Sequence, residues 1–423
     1  MPATPPDLRE RTPAAKGTEK RARTLRRPPN PAGQAPPVRK GLRGRLAWRP
    51  SPADREVLWL YLLTRISIWV TAYCARWLFP SNSKTRDSGP VLTPFEHWDW
   101  VHFLGIARDG YFPDQAGPWL REWDNREAFF PGFPLTLRAV HVIVPNWTLA
   151  GLLISFVAGA VAVLALARIA RHHLPDAGAG QRTVLFFLLS PCAVFLSVGY
   201  SEALFLALAL PAWLAAQRAH WPLAMTLAAL ATAVRVSGLF LAAALATHFL
   251  LTLRTTRNWR QLPWLALPAA PAFLYSWYLQ SHTGDWMAWK HAEERGWYRT
   301  FHTPWEAWSN TWRNAFDQAQ STGYAFMFQA ELAAMLIGLA LFALLAWKRR
   351  WPEAVYMGLS LCALGTSYWY TSIPRAGLLW WPLWITLAAW SLRSPRVKTA
   401  YLCLVAPVST VFALAFLTGR WTG

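Results

Sequence analysis

Charge is what this 423-residue sequence has least of: 15% of its residues are charged and 54% are hydrophobic. An ordinary soluble domain carries about 25% charged residues, so a string of soluble domains is excluded and a polytopic membrane protein is expected. Acidic residues are especially scarce, 22 against 42 basic, for a net charge of +20. Such an excess can mark nucleic-acid binding, but residues 1–50 hold 13 Lys/Arg against 3 Asp/Glu. The remaining basic residues lie between apolar runs, where they set topology rather than build a binding face. No nucleic-acid partner is expected. Cysteine is nearly absent too. Cys74, Cys192, Cys362 and Cys403 all lie in apolar runs without metal-ligand or disulfide spacing, and they read as small buried apolar residues. The sequence also lacks a Gly-rich phosphate loop, a zinc-type motif, a Ser/His/Asp signature and a convincing fixed-period repeat. No metal and no cofactor are expected, so any chemistry must come from polar side chains at the membrane surface.

What is present is a succession of apolar runs behind a basic tail. The first fifty residues hold ten prolines and no run of signal-peptide length. Residues 1–53 therefore read as a disordered, Pro/Arg-rich cytoplasmic tail lying against anionic membrane lipids, ahead of a transmembrane domain over 54–423. Eleven candidate spans follow, at 57–79, 147–167, 183–198, 203–216, 221–234, 239–253, 262–280, 327–347, 354–370, 377–392 and 399–417. The third to sixth are short. Kept or removed in pairs, they leave the sidedness downstream unchanged. Alternate connections carry the Lys/Arg: the tail, then Arg168, Arg171 and Arg182, then Arg218, then Arg254, Arg257 and Arg260, then Lys348, Arg349 and Arg350, then Arg393, Arg396 and Lys398. The connections between them differ in kind. Residues 80–137 hold eight acidic and five basic residues, and 281–326 is mixed and rich in Trp. The positive-inside rule then places the N-terminus inside, the C-terminus outside and these two long loops, about 80–137 and 281–326, on the outer face. The 28 tryptophans fit interfacial belts and amphipathic segments.

The first outer loop reads Glu96-His97-Trp98-Asp99-Trp100-Val101-His102-Phe103 and runs to Gly110-Tyr111. A short interfacial helix is expected, with Val101 and Leu104 on one stripe, Trp98, His102 and Ile106 on another, and Gly110 as its stop. Asp99 and His102 fall on adjacent turns. A carboxylate held between tryptophans at the water boundary suits a general base for alcohol activation. It suits a helix N-cap as well, and spacing alone leaves both roles open. Phe129-Phe130-Pro131-Gly132-Phe133-Pro134 then forms a rigid turn back into the membrane. Three more outer turns carry charge: Tyr200-Ser201-Glu202, Val234-Arg235-Val236-Ser237-Gly238, and Ile373-Pro374-Arg375-Ala376-Gly377. Charge recurring near the membrane at several turns of one face points to a shared site. Arg235 and Arg375 can bind a phosphate bidentately or simply snorkel at helix ends. Arg65, inside the first apolar run, has the same two readings.

Trp98-Asp99 with His102-Phe103, Ile106-Ala107, Gly110-Tyr111 and then Ala128 to Pro134 closely resembles the PIG-V family of GPI mannosyltransferase II, within the GT-C superfamily. Ser190-Pro191, Tyr200 to Phe205 and Ala231 to Arg235 with Gly238 look like the next family blocks, and Pro374-Arg375 is a weaker match. The resemblance implies an all-α, GT-C-like integral membrane fold of about 11 transmembrane helices. It implies mannose transfer from a polyprenyl-phosphate donor to a lipid or glycan acceptor on the outer face, without a nucleotide sugar or metal at the site. Trp98 and Asp99 would match the family's functional pair, with Asp99 as general base. Arg235 and Arg375 would hold the departing phosphate, and His102, Tyr200 and Glu202 are further site candidates. The insertion at 113–127, and Ser237 in place of an amide residue, leave the acceptor open. The Ala/Arg/Trp-rich composition suggests a bacterial cytoplasmic membrane, where no GPI precursor exists and the acceptor would be another lipid or surface glycan. Two alternatives stand beside transfer. A transporter would need polar groups near the midplane, and a non-catalytic scaffold would need neither Asp99 nor the arginines.

Overall fold

A computed structural model of the chain describes residues 51–79, 90–113 and 125–422. The expected tail, apart from its last three residues, and most of the 113–127 insertion lie outside these. Among the described residues there are helices and turns but no strand. In chain order the helices are α1 (Pro52–Leu78), α2 (Asp99–Asp109), α3 (Gly132–His141), α4 (Trp147–His173), α5 (Ala179–Leu188), α6 (Ser201–Gln217), α7 (Trp221–Val234) and α8 (Gly238–Thr256). They continue with α9 (Ala269–Thr283), α10 (Ala288–Trp297), α11 (Pro304–Phe316), α12 (Thr322–Trp347), α13 (Trp351–Gly365), the single turn α14 (Ile373–Ala376), α15 (Trp381–Arg393) and α16 (Pro395–Leu417).

Four helices, α1, α4, α12 and α16, are long and apolar enough to cross a membrane, and α6, α7 and much of α8 are shorter apolar helices. Three of the eleven expected spans are broken beside a proline, and a fourth, 354–370, stops as a helix at Gly365. Run 183–198 breaks after Leu188, with Ser190-Pro191 following and a 3₁₀ turn at Ala193–Leu196. Run 262–280 is a 3₁₀ segment, Trp259–Ala266, carrying Pro263, and then α9 after Pro268. Run 377–392 opens with the 3₁₀ turn Gly377–Leu379 and restarts as α15 with Pro382 in its first turn. Proline supplies no N–H to a continuing helical ladder, so hydropathy continues through each break while the helix does not. The tail boundary also moves. Ser51 caps α1 in a capping box with Asp54, so the helix begins at Pro52.

The bundle has two chemically distinct ends. At one, Asp54 pairs with Arg171 at 2.7 Å and Arg168 at 3.1 Å, joining the start of α1 to the end of α4. Arg182 donates to Ser391, joining α5 to α15, and Arg350 pairs with Glu353. At the other end lie the starts of α2 and α6, the end of α7 and the turn α14. The α6–α7 hairpin connects the two ends, and at 17 residues α6 is about 25 Å long. The cysteines follow the expectation only in part. Cys192 is buried, but Cys362 and Cys403 are exposed on the outside of the bundle, where an apolar thiol meets lipid as readily as a core.

Candidate active site

Helix α2 is set by its buried face, Trp100, Phe103, Ile106 and Ala107. Val101, on the expected stripe, is exposed. The Trp100 ring lies where Gly151 of α4 and Gly199 leave room: a Cβ on Gly151 would stand 2.6 Å from the indole, and Gly199 is closer still. These two glycines let the ring seat against backbone, and the seated ring fixes the residue before it, Asp99. Trp98 is the N-cap at φ 55° and ψ −121°, a conformation that non-glycine residues avoid. Such a backbone costs about 1–3 kcal/mol and persists only where surroundings over-determine it. Here the indole Nε1–H of Trp98 donates to the Arg420 carbonyl at 3.1 Å, while the following residues begin α2 with Trp100 and Val101 N–H groups bonded back to His97 and Trp98.

Asp99 is the first residue of α2, and no side-chain cap bond forms at that end. Its carboxylate instead meets Arg375 Nη1 at 2.6 Å. The cap reading is therefore not the one the side chain adopts. Arg375 is buried and forked between two acids: its Nε and Nη2 both reach Glu202 Oε1 at 2.6 Å. The same Glu202 oxygen accepts from Arg235 Nη1 at 2.7 Å, and Arg235 also donates to Ser201 Oγ. Local structure explains the arrangement. Glu202 lies in the first turn of α6 and Arg235 is the C-cap of α7, so each charge sits at the helix end whose dipole favours it. The Gly132 of the Phe-Pro-Gly-Phe-Pro turn packs where a Cβ would meet the Ala233 carbonyl at 2.7 Å, seating α3 against the end of α7 just before Arg235.

The guanidinium of Arg375 lies 4.6 Å from the Phe195 ring centroid and 4.9 Å from that of Tyr200. Burial works against its charge, but the neighbouring Asp99 and Glu202 carboxylates outweigh that and raise its pKa above the ordinary arginine value. Tyr200 donates its phenol to the His97 carbonyl at 2.6 Å and so ties this floor to the approach to α2. Above the cluster is a cavity of about 230 Å³, lined by Trp98, Asp99, Tyr200, Arg235 and Arg375 among others, with Glu293, Trp297 and Arg299 from the α10 region. It reaches Tyr356 of α13, nine residues and thus about 14 Å along that helix from its C-terminal end at Gly365.

The structure therefore brings Trp98, Asp99, Tyr200, Glu202, Arg235 and Arg375 together. It separates His102 from them: its ring stacks on Phe129 at 4.9 Å and meets Trp297 edge-on, supporting the cavity wall rather than lining the cavity. The two arginines also differ. Arg375 is 9% exposed with its nitrogens directed to carboxylates, whereas Arg235 is 29% exposed and holds one acid, Glu202, through one nitrogen. Sequence reasoning missed Phe195, the Glu293–Arg299 pair at 2.8 Å and Glu331. The available signal for Glu331 was a lone carboxylate inside the apolar run of α12.

Comparison with known proteins bears on the same residues. Residues 78–262 match the family model "Mannosyltransferase (PIG-V)". That segment contains Trp98, Asp99, Tyr200, Glu202 and Arg235, and ends before Glu331 and Arg375. Similar curated proteins include the human GPI alpha-1,6-mannosyltransferase 2, 32% identical over 218 residues that cover 45% of this chain and 42% of that one. The mouse protein of the same name is 34% identical over 180 residues, 40% and 34% of the two chains. The rat protein is 33% identical over 217 residues, 44% and 41%. The matched region spans less than half the length of these relatives. Within the PIG-V match, every acid and base of the cluster except Arg375 is present.

Proposed function

We propose that this protein is a membrane mannosyltransferase that moves a hexose from a polyprenyl-phosphate donor to a hydroxyl of a lipid or glycan acceptor, with Asp99 as general base. The observation that carries the reading is that the Asp99 carboxylate lines the cavity while one of its oxygens is pinned by Arg375. A single displacement fits this arrangement. The acceptor hydroxyl attacks the anomeric carbon as its proton passes to Asp99, the bond from that carbon to the phosphate oxygen breaks, and prenyl phosphate leaves with the electron pair. Holding hydroxyl, base and donor in one recess supplies much of the barrier reduction. The leaving phosphate needs a guanidinium whose nitrogens are not all engaged by carboxylates. Arg235, with its exposed edge in the cavity, takes that role, and Arg375 orients Asp99. The PIG-V match over residues 78–262 supports mannose as the sugar, and the relatives' names support a glycolipid acceptor class.

On this reading the cavity faces outside and the basic end faces the cytoplasm, with the short apolar helices crossing in pairs beside the four long ones. The test is transfer of labelled mannose from polyprenyl-phosphate mannose in membranes carrying wild type or Asp99→Asn. Asparagine keeps the shape but takes no proton, so turnover should fall by about 10²- to 10⁴-fold at equal protein level. Near-normal turnover would return Asp99 to a structural role. Transfer absent from the wild type with several prenyl donors and membrane-lipid acceptors would favour a scaffold.

A further inference from the structure

We propose that Glu331 is a positioning residue of this site, holding Arg375 against Asp99 through the backbone of Ser372 and Ile373. Glu331 sits in α12 nine residues from Thr322, about 14 Å along the helix, and is 1% exposed. A buried carboxylate within an apolar span is expensive and calls for a specific partner. Among the described residues it has no ion pair. Its two oxygens instead accept backbone N–H bonds, Oε1 from Ser372 at 2.7 Å and Oε2 from Ile373 at 2.8 Å.

Those two amides begin the turn that carries Arg375 two residues later. Ser372 is left-handed, at φ 64° and ψ 22°, so the turn is not one the chain adopts unaided. Pro374 has no N–H to contribute, and no side chain of the turn caps it. Glu331 therefore supplies the fixed point from α12, and Arg375 converts it into the placement of Asp99 on α2 and Glu202 on α6. Three elements far apart in sequence meet through one guanidinium whose backbone is anchored by one carboxylate. Glutamine at 331 would keep the shape but offer a single oxygen and turn an NH₂ toward the second amide. The turn would shift, and a displacement of about 1 Å at a catalytic group costs on the order of 10²-fold in rate.

The activity arm rests on the proposed transfer reaction. Glu331→Gln should lower turnover by about 10²-fold with the donor KM little changed, and it should do so through Arg375. In a double-mutant cycle with Arg375→Lys the losses should therefore be non-additive, with a coupling of about 3- to 100-fold. Additive losses, or a Glu331→Gln protein with reduced yield but wild-type specific turnover, would overturn the proposal. If Asp99→Asn retains full turnover, the general-base reading fails while this coupling remains readable. If no transfer activity is found at all, the same cycle is read in the melting temperatures of the purified variants, where additivity again overturns it. Should Glu331→Gln not insert, hydrogen exchange in the wild type decides: the Ser372 and Ile373 amides should exchange as slowly as those inside α12, and rapid exchange would remove the anchor.

Discussion

Arginines occupy both ends of this bundle and behave differently at each. At the basic end Arg168, Arg171, Arg257 and Arg260 are partly or fully exposed; of the two buried acids there, Asp54 receives Arg168 and Arg171 and Glu353 receives Arg350. At the cavity end Arg375 is buried and held by two carboxylates, one of which also holds Arg235. Exposed arginines near a membrane interface need only water and headgroups, so their number matters more than their partners. A buried arginine without a carboxylate leaves a desolvated charge uncompensated, so its partners matter more than its number. The same residue type is therefore mostly solvent-facing at one end and locked between carboxylates at the other.

The sharpest way to break this contrast is at Glu202, the acid shared by both cavity arginines. Glu202→Gln should cost about 3–5 kcal/mol of stability, because it removes the carboxylate of Arg235 and one of the two that compensate the buried Arg375, and a thermal melt in detergent would show it. A loss no larger than that of an exposed pair would mean the cavity arginines are solvated like those of the basic end. Replacing Trp100 by Ala should cost about 3–5 kcal/mol as a buried aromatic is removed, and turnover should fall beyond the loss of protein, since the ring seats Asp99. Unchanged specific turnover in the surviving protein would separate α2 packing from the site.

A smaller effect distinguishes the two arginines of the cavity itself. Arg235→Lys keeps the charge and loses the fork, so it should retain part of the transfer activity and weaken dependence on the donor phosphate more than on the acceptor. Equal changes in both, or none, would remove Arg235 from the donor. The smallest stability effect belongs to the basic end. Arg257→Gln and Arg260→Gln should each change stability by no more than about 0.5 kcal/mol. Sidedness is tested directly in a background without the four native cysteines. Phe301→Cys, at an exposed position before α11, should react with an impermeant maleimide in intact cells while Ala177→Cys should not. The reverse pattern would exchange the two ends.

Much of this was legible locally. Hydropathy and the alternating basic connections, read along the chain, were enough for the membrane class and for most helices. Proline-broken segments were the exception, since apolar character averages over a break that one missing N–H creates. The Trp98-Asp99 segment was legible because a short helix, its glycine stop and its aromatics are consecutive. The position of the His102 ring was not legible for the converse reason: helical spacing puts it near Asp99 on the helix, but whether the ring faces the cavity or Phe129 depends on what packs there.

Composition and local pattern by themselves determined that the chain lives in a membrane, that it is helical, where its basic connections fall, and that Trp98-Asp99, Arg235 and Arg375 are its unusual residues. Only the tertiary structure decided their partners. Arg375 and Glu202 are 173 residues apart, Arg235 and Glu202 33, and Ser372 and Glu331 41. At such separations neither periodicity nor spacing carries contact information. The pairing follows from the packed helices, where a buried charge must find a countercharge or a backbone donor within hydrogen-bond reach.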